Sequence, residues 1–159
     1  MSMAISHVQA LLCLLASLFF LPTLYAYKFK YCNNNTGYDF GKVIGLATTP
    51  KDDDTTTTIY VFLNANKSLD KGSVIVNLII GEGEQAWDAE MYELNEVVNA
   101  LPIEPGIITN LSMTKVPLQS DLVRYDKVTV TLFDGDFKEI LCITFNPNDY
   151  TASAAAVYA

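Results

Sequence analysis

The stretch Lys127-Val128-Thr129-Val130-Thr131-Leu132-Phe133-Asp134-Gly135, followed by Glu139-Ile140-Leu141-Cys142-Ile143-Thr144-Phe145, decides the fold class. Side chains of an extended chain alternate between two faces. Val128, Val130 and Leu132 therefore share one face, and Lys127, Thr129 and Thr131 share the other, the pattern of a half-buried strand. Asp134-Gly135 is a hairpin-turn signal, and residues 139–145 return as the partner strand. Outward from this hairpin the pattern recurs. Val74, Val76, Leu78 and Ile80 fall on one face, and residues 55–63 are rich in strand-favouring Thr, Ile, Tyr, Val and Phe. Residues 38–46 carry Tyr38, Phe40 and Val43, and residues 27–31 alternate aromatic and basic side chains. Short alternating runs separated by turn residues predict an all-β sandwich or barrel.

Residues 1–26 contain no Lys, Arg, Asp or Glu, and residues 8–21 are almost continuously apolar. Pro22 ends the run and Leu24-Tyr25-Ala26 offers a small residue for cleavage, the layout of a secretory signal peptide. A membrane anchor is the alternative, since about 18 apolar residues can span a bilayer. Cleavage would remove His7, the only histidine, together with Cys13. Cys32 and Cys142 then remain, so neither a Cys/His zinc cluster nor a histidine-based triad can be assembled. In an exported chain two cysteines read as one disulfide, with two buried thiols as the alternative. Asn34, Asn66 and Asn110 each begin an Asn-x-Ser/Thr sequon for N-glycosylation, which fits the same pathway. The formal net charge of −8 survives cleavage. An acidic domain without a basic cluster is a poor partner for nucleic acid or anionic headgroups.

Other patterns carry less. Residues 87–98 place Trp87, Met91, Leu94 and Val98 at helical spacing, but read equally as a strand and loop leading to Pro102 and Pro105. Ile80-Gly81-Glu82-Gly83-Glu84-Gln85-Ala86 imitates a dinucleotide fingerprint, yet Glu82 and Glu84 would set negative charge against a pyrophosphate. A glycine-rich turn is the better account. Asp134, Asp136 and Glu139 supply fragments of the roughly six oxygens that calcium needs. Glu90, Glu93 and Glu96, if helical, line up as solvated charges rather than as a catalytic carboxylate pair. No catalytic, metal or cofactor residue emerges.

Two blocks, Tyr31-Cys32 with Gly37-Tyr38-Asp39-Phe40-Gly41-Lys42-Val43, and residues 127–135 with Ile140-Leu141-Cys142-Ile143-Thr144-Phe145, resemble the start and finish of the ML domain. This is the lipid-recognition family, and the likeness is to its small plant members. Pro105-Gly106 before an apolar-alternating stretch is similar to the family's Pro-Gly step ahead of its central strands. The resemblance spans about residues 27–147. It implies an immunoglobulin-like β-sandwich of two antiparallel sheets that part at one edge, with an inter-sheet lipid cavity. It also pairs Cys32 with Cys142, as the family's first and last cysteines are paired. Many members have a further cysteine pair in the region of residues 92–105, and this chain has none. Ligand class therefore cannot be copied from better-known relatives.

The expectation is a leader over residues 1–26, an ML domain over 27–147 and a flexible tail over 148–159. Phe40, Val61, Val76, Leu78, Ile80, Val128, Val130 and Leu132 are the expected cavity lining, although they would read identically in a filled core. Lys42, Lys115 and Arg124 are candidates for headgroup contact. The expected function is a secreted, non-catalytic carrier of a sterol, phospholipid or fatty acid, with no cofactor and no stable membrane insertion after leader cleavage. Its place would be the apoplast or extracellular space, the vacuole or the ER lumen. The alternative is an adaptor or co-receptor module that docks on a protein receptor in defence or stress signalling.

Overall fold

The computed structural model describes residues 24–49, 56–81, 86, 88–118 and 124–153. Residues 1–23 of the expected leader, residues 82–85, Trp87 and the end of the tail lie outside the described residues. In chain order the elements are β1 (Leu24–Tyr31), β2 (Gly41–Thr48), β3 (Thr57–Ala65), β4 (Gly72–Ile79) and β5 (Asp88–Glu93), then the single turn α1 (Leu94–Val97). There follow β6 (Ile108–Val116), β7 (Lys127–Asp134) and β8 (Glu139–Ser153). Residues 88–98 thus resolve as a strand and one helical turn. Met91 sits 62% exposed on β5, while Leu94 and Val98 are buried beyond it. Leu24, Tyr25 and Ala26, assigned above to the leader, begin β1, and β8 continues past the boundary expected at residue 147.

The strands form one antiparallel sheet in the order β5-β4-β7-β8-β1-β2-β3-β6, bent round into a nearly closed cup. The two expected sheets are halves of this sheet, because β1 and β8 belong to both. β7 pairs with β8 only as far as Phe145, whereas β1 follows β8 to Ser153 and meets β2 at Tyr25 and Ala26. Between Tyr27↔Tyr150 and Phe29↔Phe145 the register shifts, leaving extra length on β8 around Pro147. Proline has no N–H to give a ladder and is tolerated at such bulges. Asn148 holds the irregular backbone. Its N–H donates to Asn146 Oδ1 at 2.8 Å and its Nδ2 donates to the Tyr125 carbonyl at 2.9 Å. Strands that bend at a bulge let a sheet turn a corner and pack on itself.

Alternation along the strands decides what faces inward. β3 buries Thr57, Ile59, Val61, Leu63 and Ala65, and β7 buries Val128, Val130 and Leu132 from the other half. Val74, Val76 and Leu78 of β4 and Leu111, Met113 and Val116 of β6 complete one continuous core. The β7–β8 hairpin is longer than a two-residue Asp-Gly turn. Phe137 adopts a positive φ of 59°, and the Asp134 N–H donates to the Lys138 carbonyl at 3.0 Å. Asp134 Oδ1 accepts the N–H groups of Asp136 and Lys138, which closes the turn.

Cys32 and Cys142, 110 residues apart in sequence, form a disulfide at the end of β1. Replacing both by alanine should lower the free energy of unfolding by about 4 kcal/mol, the chain-entropy value for so long a loop. Urea denaturation of the double variant checks this. Unchanged stability would mean that the β1–β8 ladder alone holds the two strands together.

Candidate functional site

The interior of the cup is the strongest candidate site, and its lining follows from the strand alternation. Val61, Val76, Leu78, Val128, Val130 and Leu132 all project inward and are buried. Phe40, just ahead of β2, is buried too, at the end where its carbonyl accepts the Asn66 N–H at 2.7 Å. Ile80 is the exception. The β4 ladder stops at Ile79, Gly81 turns the chain with φ 75°, and Ile80 is left 39% exposed. These inward side chains belong to one contiguous cluster of buried residues. A cavity of about 360 Å³ lies at the rim. Asp70, Lys71, Glu93 and Asp134 line it together with Leu101 and Phe137.

Where the two edges of the sheet meet, closure is slight. β5 and β6 are the edge strands, and the Tyr92 hydroxyl on β5 donates to the Thr114 carbonyl on β6 at 2.7 Å. That carbonyl is available because Thr114 and Lys115 have no partner in the β3–β6 register, and Lys115 takes a positive φ of 60°. A bulge of this kind turns a backbone group out of the ladder. The α1 turn packs on β6 beside the same seam. Glu93 and Glu96 bond reciprocally to each other's backbone as a capping box. Tyr92 and its bond across the seam had no signal in the sequence, since the bond depends on a bulge that side-chain periodicity does not encode.

The three candidate headgroup contacts are not brought together. Lys42 pairs in register with Asn64 near the end of β3, whereas Lys115 flanks Val116, which pairs with Thr57 at its start. Seven residues of strand, about 23 Å, separate those positions. Arg124 is exposed and its Nε donates to Asn148 Oδ1 at 3.1 Å, at the corner of the cup. Of the sequon residues, Asn34 lies exposed in a turn with φ 55°, and Asn66 is exposed after β3. Asn110 instead lies within β6, opposite Phe62 on the outer face, and its buried Oδ1 has no hydrogen-bond partner among the described residues.

Comparison with known proteins places this architecture. No family model matches the chain. It is 39% identical over 119 residues to MD-2-related lipid-recognition protein 3 of Arabidopsis thaliana, covering 70% of each chain. It is 32% identical over 147 residues to MD-2-related lipid-recognition protein ROSY1 of the same plant, covering 90% of each. The chain belongs to the MD-2-related lipid-recognition family. Among solved structures, chicken MD-1 complexed with lipid IVa matches with a TM-score of 0.45 and 16% identity, over 79% of this chain and 96% of that one. Within this member of the family, the resemblance carried by the blocks around Cys32 and Cys142 is borne out.

The Tyr92 phenol is pushed up from 10.0 to about 12, first by burial and then by the Glu90 charge. A phenol kept protonated more strongly in the fold than in the unfolded chain gives stability that is complete below pH 10 and is lost as pH climbs toward 12. Tyr27, Tyr38 and Tyr125 are shifted the same way, chiefly by burial. Unfolding free energies measured across this alkaline range should fall, and Tyr92→Phe should make the fall shallower. An identical slope in the variant would mean that Tyr92 titrates as it does in the unfolded chain.

Proposed function

We propose that this protein is a secreted, non-catalytic carrier that holds the apolar part of a membrane lipid, a sterol or a phospholipid, between the halves of its cup. The supporting observation is the chemistry of the inner face. Among the described residues no Asp, Glu, Lys or Arg is buried, and the inward strand positions are almost wholly apolar. Hydrocarbon placed against such a face leaves no charge unpaired. Each CH₂ group taken from water contributes about 0.8 kcal/mol, so burying a long lipid offsets the packing between the halves that is given up when the core parts. The names of both Arabidopsis relatives refer to lipid recognition, which supports the same reading.

Entry requires the halves to separate, and at the β5–β6 seam separation breaks no ladder. Elsewhere neighbouring strands are hydrogen-bonded in ladders, short between β1 and β2 and long between the others. At the seam, among the described residues, a side-chain hydrogen bond and the α1 turn do the holding. The apolar run at residues 8–21, which lies ahead of β1, and the exposed sequons at Asn34 and Asn66 support export. With histidine confined to position 7, the interior has no ordinary general base, and the guest is held rather than transformed.

Delipidated protein titrated with fluorescent sterol and phospholipid probes should give a saturable shift to apolar emission. Absence of saturable uptake by any probe contradicts the proposal. Tyr92→Phe should speed uptake severalfold, with the amount bound at saturation unchanged, as stopped-flow fluorescence would record.

A further inference from the structure

The inner face is apolar with one local exception. Thr57, Thr48 and Tyr27 all project inward where β1 and β3 begin and β2 ends, the end of the cup opposite the rim cavity. Thr57 is only 4% exposed, and its Oγ1 has no hydrogen-bond partner among the described residues. The Tyr27 hydroxyl and Thr48 Oγ1 lie 3.1 Å apart as a buried pair. Thr48 is opposite Ile59 in the β2–β3 register, so Thr57 is its diagonal neighbour on the same face. A buried hydroxyl without a partner is destabilising, and native interiors seldom keep one unless something else satisfies it.

We propose that the Thr57, Thr48 and Tyr27 hydroxyls form a neutral hydrogen-bonding subsite that receives the uncharged hydroxyl end of a lipid. This rests on the carrier reading above and narrows it to a ligand class. A ligand hydroxyl both donates and accepts, as threonine and tyrosine hydroxyls do, so it can complete Thr57 and join the Tyr27–Thr48 pair. A phosphate or carboxylate has no counter-charge there, since no Lys or Arg among the described residues is buried. Burial raises the Tyr27 pKa, which reports the same resistance of this environment to negative charge. Sterols and long-chain alcohols share the required chemistry. Fatty-acid anions do not.

The test measures affinities of delipidated wild type and Thr57→Val for a fluorescent sterol, its analogue lacking the hydroxyl, a fluorescent long-chain alcohol and a fluorescent fatty acid. Wild type should prefer the sterol to its deoxy analogue by about three- to tenfold, the worth of one net hydrogen bond. Thr57→Val keeps the side-chain shape, and should lose that preference through weaker sterol binding alone. The alcohol should fall in parallel if the hydroxyl itself is recognised, while the fatty acid and the deoxy analogue stay unchanged. Free Thr57→Val should be at least as stable to urea as wild type, because it gives up an unpaired hydroxyl. Equal loss for all probes, or an unchanged sterol preference, overturns the subsite and leaves the carrier reading standing. No saturable binding of any probe by wild type overturns both.

Discussion

The pairing of β1 with β8 is the constraint on which the rest of the molecule depends. These two strands run through both halves of the sheet, and the Cys32–Cys142 bridge fastens them at one end. Because their register slips around Pro147, the sheet turns a corner instead of lying flat. One half then faces the other, and every inward position on β3, β4, β6 and β7 is removed from water together. A flat sheet with the same alternation would leave that apolar face exposed. The corner converts alternation into an interior.

Closing a sheet this way leaves a place where the ends must meet without a ladder. The edge strands β5 and β6 meet there, with α1 beside them and the bulged Thr114 carbonyl taken by Tyr92. A side-chain hydrogen bond adds about 1 kcal/mol net, far less than the cooperative ladders elsewhere. The same geometry therefore produces a buried apolar interior and a seam that no ladder closes. The proposed carriage of lipid rests on that combination. An interior sealed by ladders on all sides would be stable and inaccessible, and an open trough would expose apolar surface to aggregation.

Much of the fold was legible because period-two alternation is written directly in side-chain type. Val128, Val130 and Leu132 declared their face, as did Val74, Val76 and Leu78, and the two cysteines declared their bond. Ile80 misled because it continued the alternation one step beyond the ladder, where Gly81 had already turned the chain. Lys42, Lys115 and Arg124 share a charge, but only register tells that Lys42 and Lys115 lie beside opposite ends of β3. Residues 88–98 mixed strand and helical spacing because a strand and a helical turn do in fact share that segment. Tyr92 and Thr57 were invisible for a different reason. One acts through a bulge and the other through the absence of a partner, and neither is a property of residue type. Whether the interior is filled or hollow was equally beyond reach, since Val and Leu face inward in both cases.

The central claim is that the cup opens between β5 and β6 to admit a lipid. Pulsed electron-spin distance measurement tests it directly, with spin labels at Met91→Cys and Thr114→Cys, both exposed, in a chain whose Cys13 is replaced by serine. Lipid loading should move the distance distribution across the seam to longer values. An identical distribution in loaded and lipid-free protein would contradict the account, because the guest would then be held without parting these edges.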